Sequence, residues 1–187
     1  MKSITIISGK GGTGKTILTA SFAALAESKV MADCDVDAAD LHLILKPEIQ
    51  REEVFEGGKS AWIKRAKCER CGICITACRY EAISDDFVVD PISCEGCALC
   101  YNICPAKAVR MKPSKKGRWY ISETRFGPMV HAKLGIAEEN SGKLVAIVRQ
   151  QARLIAERDN LEYVIVDGPP GIGCPVISSI TGPIWRW

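Results

Sequence analysis

Gly9-Lys10-Gly11-Gly12-Thr13-Gly14-Lys15-Thr16 is the stretch on which the fold turns. It satisfies G-x-x-x-x-G-K-[ST], a pattern that asks for a sharp backbone bend and a helix start in eight residues. The glycines let successive N–H groups point inward toward an anion, and the following helix presents its positive end to the same point. Lys15 supplies a mobile charge for the β- and γ-phosphates, and the Thr16 hydroxyl is suited to Mg²⁺. Gly11, Gly12, Thr13, Gly14, Lys15 and Thr16 are therefore the predicted nucleotide contacts. A plain glycine turn between a strand and a helix is the competing reading.

Working outward, Lys2 to Ser8 reads as a short buried strand, because Ile4, Ile6 and Ile7 are β-branched and glycines follow at once. Leu18, Phe22 and Leu25 recur at helical spacing in an Ala-rich stretch ending near Ser28. Val30-Met31-Ala32 is a second strand, ending in Asp33-Cys34-Asp35-Val36-Asp37. Strand, glycine loop, helix, strand predicts an α/β fold with a mainly parallel sheet. Trp119–Ile121 and Met129–Ala132 read as strands around a turn at Gly127-Pro128. Ser141 is a plausible N-cap for a helix over Gly142–Arg158 with Leu144, Val148, Ala152 and Ile155 inward. Tyr163–Val166 is an uncharged strand closed by Asp167, a carboxylate suited to Mg²⁺ because a hard cation prefers oxygen. Beyond it, only Val176–Ile180 reads as helical.

Eight of the ten cysteines fall between about Lys64 and Lys112. Cys68-Cys71-Cys74-Cys78 returns as Cys94-Cys97-Cys100-Cys104 with the same internal spacing. C-x₂-C-x₂-C-x₃-C is the bacterial ferredoxin run, in which three thiolates come from one loop and the fourth from the other run. The expected quartets are Cys68, Cys71, Cys74 and Cys104 for one [4Fe-4S] cluster, and Cys94, Cys97, Cys100 and Cys78 for the second. Arg79 stands where the full pattern has proline after Cys78, whereas Pro105 follows Cys104. Zinc also takes four thiolates, but structural zinc sites usually pair two C-x₂-C knuckles. Lys112-Pro-Ser-Lys-Lys-Gly-Arg118 reads as a solvated linker. Cys34 and Cys174 read as small buried apolar residues, and His42 and His131 as isolated structural or surface groups.

The organisation that follows is residues 1–60 and 115–187 as two parts of a nucleotide domain, with an α+β cluster module inserted at 61–114. The charge balance, 25 basic against 22 acidic residues, asks for no nucleic-acid partner. No apolar run is long enough to span a bilayer, and the N-terminus does not read as a signal peptide. A cytoplasmic, reducing setting is the default, in which such cysteines are metal ligands rather than disulfides.

Ile7–Thr16, Ala32–Leu41, the two cysteine runs, Asn140–Val145 and Asp167–Pro175 together resemble the MinD/ParA/Mrp superfamily of P-loop ATPases, in the form carrying an inserted 2[4Fe-4S] ferredoxin domain. The resemblance implies ATP, Mg²⁺ and two [4Fe-4S] clusters as cofactors. Lys10 resembles the lysine that reaches across a homodimer interface to the partner's nucleotide, on the logic of an arginine finger; an exposed loop lysine is the alternative. Asp35 matches the aspartate that positions the attacking water, with Asp33 supporting it, unless either merely caps a loop. Gly168-Pro169-Pro170-Gly171 matches the segment that senses the γ-phosphate. By the resemblance the family fold continues past this segment, so the sheet is expected to be incomplete at the C-terminus, and ATP hydrolysis is implied only if the part beyond Trp187 is not essential. The function implied is an ATPase coupling dimerisation to electron transfer toward a redox or iron–sulfur partner. The alternatives are a cluster carrier of the Mrp type and an inactive fragment retaining only cluster binding.

Overall fold

A computed structural model describes residues 1–135 and 142–181. The chain divides into two compact units: Met1–Phe55 with Gly117–Gly135 and the segment from residue 142 onward, and Glu56–Lys116.

The first unit is a three-layer α/β arrangement. Its strands are β1 (Lys2–Ser8), β2 (Lys29–Asp33), β5 (Gly127–Leu134), β6 (Tyr163–Pro170), and the parts of β3 (Glu48–Ile63) up to Phe55 and of β4 (Val109–Thr124) from Gly117. They lie in the order β1-β6-β2-β5-β4-β3. β1 runs parallel to β6, and β2 runs parallel to both β6 and β5. The β4–β5 pair is antiparallel. β3 and β4 carry the chain out of this unit into the second and back.

Alternation along β2 decides what covers each face. Val30 and Ala32, with Val130, Ala132, Val164 and Val166, face α5 (Gly142–Arg158) through Leu144, Val145, Val148, Ala152, Ile155 and Ala156. Met31, Met129 and Ile165 face the other way, onto Ala23 of α1 (Lys15–Leu25) and Leu41 and Leu45 of α2 (Leu41–Leu45). Each fully buried aliphatic side chain contributes on the order of 1.5–3 kcal/mol, so an Asp at Val148 would break the α5 face. α6 (Cys174–Ile180) packs on α5 and β6. No helix among the described residues is long and apolar enough to cross a membrane.

Several expectations are corrected here. β1 has the predicted limits but is not buried: Ile4 and Ile7 are 38% and 46% exposed, because among the described residues β1 is the outermost strand of the sheet and pairs with β6 alone. On α1 the inward positions are Lys15, Thr19 and Ala23, not the Leu18–Leu25 stripe, whose two leucines are exposed. The small Thr19–Ala23 row sits against the sheet, and Phe22 packs at its side. The turn between β4 and β5 falls at Arg125-Phe126, where the Thr124 side chain accepts the Phe126 N–H, and Gly127-Pro128 already belongs to β5. The basic run at 112–118 is strand rather than linker; Gly117 and Arg118 pair with Leu134 and Lys133. Charge pattern reports exposure but not ladder pairing, and Lys112 is indeed exposed, its Nζ 3.8 Å from the Trp62 ring centre. The α5 limits are as predicted, whereas the Ser141 cap lies outside the described residues.

The second unit holds a 3-10 turn at Arg65–Lys67, α3 (Ile73–Thr76) and α4 (Leu99–Ile103). Its small core joins Ala61, Ile63, Ile83 and Val109 to Cys68, Cys74, Cys78, Cys94, Cys100 and Cys104. Sulfur atoms therefore make up much of what this unit buries.

Candidate functional site

The glycine loop leaves β1 after Ser8 and enters α1 at Lys15. Gly12 and Gly14 have φ of 72° and 84°, a left-handed conformation that only glycine adopts at little cost. A Cβ placed at Gly9, Gly11, Gly12 or Gly14 would meet no atom within 4 Å. Hence the loop backbone borders open space, a cradle for a ligand rather than a packed turn. Ser8 Oγ donates to the Lys10 carbonyl at 2.6 Å, and the Gly171 N–H donates to the Ser8 carbonyl at 2.9 Å. The second contact ties the Gly168–Gly171 segment to the start of the glycine loop. Gly168 is needed for that closeness, since a Cβ there would lie 2.7 Å from Ile7 Cγ2 and 2.8 Å from the Ile6 carbonyl oxygen.

The polar side chains gather at the carboxyl ends of β2 and β6, where open α/β sheets bind ligands. Asp33 and Asp167 are register partners on neighbouring parallel strands. Lys15 is 8% exposed, and its Nζ lies 4.0 Å from Asp35 Oδ2. Asp33 Oδ1 accepts the Asp35 N–H at 3.2 Å, which ties the Asp35 backbone to the end of β2. Burial pushes the Asp35 carboxyl up to about 6, with Lys15 pulling it back. Burial, and next the Asp167 charge, push Asp33 far above the usual carboxylate range. Asp167 is raised by burial as well, against the hydroxyls of Thr16 and Thr19. Oδ2 of Asp33 and Oδ2 of Asp167 are buried without a hydrogen-bond partner. Such orphaned carboxyl oxygens beside a threonine hydroxyl suit a divalent cation, and Thr16 and Asp167 are the residues that would hold Mg²⁺. Lys10 is exposed on the loop, away from this buried group.

Thr19 was missed by the sequence reading. Its hydroxyl lies 2.9 Å from the Lys15 carbonyl oxygen and 3.1 Å from Asp167 Oδ1. The available signal was a threonine four residues after Lys15, on the same face of α1.

The eight repeat cysteines sort into two hollows in the second unit. One, about 210 Å³, is lined by Cys78, Cys94, Cys97 and Cys100. The other is narrower, about 20 Å³, and is lined by Cys68, Cys71, Cys74 and Cys104. Each hollow is thus lined by three cysteines of one run and the last cysteine of the other. Among the described residues, no group of three or more His, Cys, Asp or Glu is arranged to hold a single metal ion. Backbone N–H groups of Ala82 and Ala108 point at Cys78 Sγ and Cys104 Sγ, 3.4 and 3.3 Å away, and the Ala61 N–H at Cys94 Sγ, 3.4 Å away. Arg70 and Gly72 in the first loop and Gly96 and Ala98 in the second all have positive φ, at matching positions of the repeat. Backbone of this kind turns N–H groups toward an enclosed anion. Burial raises the Cys74 and Cys100 thiols. Cys34 is buried as expected, but Cys174 is exposed, at the start of α6. His131 is not isolated: it is buried between Tyr120 and His42, with Nε2 2.9 Å from Ser122 Oγ.

A parallel sheet, a glycine cradle at the strand ends, a buried lysine and two carboxylates with free oxygens define a P-loop nucleotide-binding protein. The chain belongs to the CobQ/CobB/MinD/ParA nucleotide binding domain family, which it matches over residues 4–176. It is also 37% identical over 187 residues to an uncharacterized protein of Methanocaldococcus jannaschii, an alignment covering 95% of this chain and 63% of that relative. The chain thus spans somewhat under two thirds of the relative's length.

Proposed function

We propose that this protein is an ATPase of the MinD/ParA type that couples nucleotide-dependent dimerisation to electron transfer through two [4Fe-4S] clusters held by its cysteine-rich unit, to a redox partner. The observation that carries the reading is the sorting of eight cysteines into two hollows, each lined by one crossed quartet. A cubane binds its four thiolates one per iron around a body, so it asks for sulfurs spread about a hollow. Zinc draws four ligands to one point, with Zn–S near 2.3 Å. The three N–H···S contacts and the paired positive-φ loops supply dipoles toward a negatively charged centre. The Cys68 hollow is narrow, so its thiolates spread when a cluster enters.

In the nucleotide unit, Lys15 and the loop N–H groups would bind the phosphates, and Thr16 with Asp167 would hold a cation that supplies further positive charge there. Asp35 is placed to orient a water for attack. Lys10, exposed, is free to reach a second copy's nucleotide, which makes dimerisation the step that completes charge neutralisation. The clusters, when bound, supply one-electron chemistry.

The test is sedimentation velocity of the anaerobically purified chain with Mg²⁺ and either ATP or ADP. ATP is expected to produce a dimer, ADP a monomer, and Lys10→Ala a monomer that still binds ATP. An ATP-bound chain that stays monomeric as wild type would overturn the dimerisation reading.

A further inference from the structure

Positive charge is unevenly placed around the two hollows. The second unit carries eleven Lys and Arg residues against seven Asp and Glu, although the whole chain is nearly balanced. Lys64, Arg65 and Lys67 sit on the 3-10 turn that leads directly into Cys68. Lys107 follows Cys104 by three residues. Both cysteines line the narrower hollow. The Lys64 N–H donates to the Ala108 carbonyl at 2.9 Å, and the Lys107 N–H to the Cys104 carbonyl at 3.1 Å. The first of these bonds holds the two basic segments side by side, and the second is a turn within the Cys104–Lys107 segment. All four side chains are exposed, and none is ion-paired with another described residue. Glu69 is the one acidic residue lining this hollow, whereas nearby Arg70 and Asp86 pair with each other at 4.0 Å. The wider hollow is different: Arg79 and Glu95 line it together, and Glu81 lies two residues beyond Arg79.

We propose that the rim formed by Lys64, Arg65, Lys67 and Lys107 is the docking face for a low-potential electron-carrier protein with an acidic surface, and that electrons enter through the cluster of Cys68, Cys71, Cys74 and Cys104. This rests on the two-cluster reading above. Four unpaired surface cations beside a redox centre steer an anionic partner and fix its approach to that centre. One electron leaves the carrier, which is oxidised by one unit, and enters the cluster, which is reduced by one unit. No bond forms or breaks, and no proton is needed.

The experiment uses the full cluster-loaded chain and an acidic flavodoxin, reduced to its hydroquinone, as the probe. A carbodiimide links lysines to carboxylates only at contact distance, and mass spectrometry is expected to find the links at Lys64, Lys67 or Lys107. The variant Lys64→Glu, Arg65→Glu, Lys67→Glu is expected to keep its iron, to lose those links, and to accept electrons about tenfold more slowly at low salt. The difference should vanish as salt rises, because screening removes steering. If that variant loses iron, Lys107→Glu alone is read the same way. Links confined to other lysines, or an unchanged rate in an iron-loaded variant, would overturn the proposal. So would capture of a 20-mer oligonucleotide at these residues with no flavodoxin contact. An iron-free wild-type chain removes the cluster reading itself, a separate and recognisable failure.

Discussion

The Nζ of Lys15 lies 4.0 Å from Oδ2 of Asp35, with the two side chains only 7% and 9% exposed. The lysine proposed to bind phosphate and the carboxylate proposed to orient water therefore share one buried place. Lys15→Ala removes the charge the phosphates need and leaves Asp35 buried beside Asp33 and Asp167. Binding of a fluorescent ATP analogue should weaken at least about 100-fold, the scale of losing a buried charge contact. The nucleotide-free variant should also lose about 1–3 kcal/mol in urea unfolding, less than a rigid ion pair would, because Asp35 can take up a proton.

The pH response of the nucleotide-free chain has two opposed parts. Asp35 is raised to about 6, by burial first. A raised carboxyl stabilises the fold below its unfolded value near 4, and that contribution is lost as pH rises through about 6. His131 is lowered to about 4 by burial and then by His42. A lowered imidazole stabilises the fold above its unfolded value near 6.5, and this is lost as pH falls through about 4. Asp35→Asn should therefore flatten the loss of stability between pH 4 and 6 on raising pH. His131→Gln should flatten the loss on lowering pH from 6.5 to 4, by up to about 3 kcal/mol. Urea midpoints across pH 4–8 check both signs.

Much of the nucleotide unit was legible because its signals are local. A glycine loop forces φ > 0 at Gly12 and Gly14, and short apolar runs bounded by glycine or aspartate mark β1, β2 and β6. The α5 stripe was equally plain. What failed was whatever depends on neighbours remote in the chain. Nothing within Lys2–Ser8 says that this strand is an edge, and the Leu18–Leu25 spacing gave no reason to prefer Thr19–Ala23 as the inward row. β3 and the charged half of β4 carry too little apolar alternation to read as strands, since partners across the ladder make them so. The spacing of the cysteines carries no sign of the unequal size of the two hollows they line. Thr19 went unseen because its role lies in a contact with Asp167, 148 residues away.

Crossing of the quartets gives a sharp substitution test. Cys78 closes the first run but lines the hollow of Cys94, Cys97 and Cys100. Cys78→Ala should disturb that cluster and leave the Cys68 cluster intact, and Cys104→Ala should do the reverse. Mössbauer spectra of the two variants should each retain one unperturbed cubane and differ from each other. Damage confined to the cluster of the same run would contradict the crossing.

Gly96 and Ala98 occupy left-handed backbone at φ of 66° and 61°, but their surroundings differ. A Cβ at Gly96 would sit 2.0 Å from the Lys59 carbonyl oxygen, so Gly96→Ala should cost at least about 2 kcal/mol and lower cluster occupancy. Ala98→Gly relieves strain of about 1 kcal/mol, partly offset by the added freedom of the unfolded glycine. Its apparent Tm should rise slightly or stay level, measured anaerobically by calorimetry.

The most direct measurement is the metal and sulfide content of anaerobically purified protein, joined to its EPR spectrum on reduction with and without Mg-ATP. The account predicts about eight irons and eight sulfides per chain, and a reduced spectrum that changes when nucleotide binds. Zinc in place of iron, or iron–sulfur spectra indifferent to bound ATP, would contradict it.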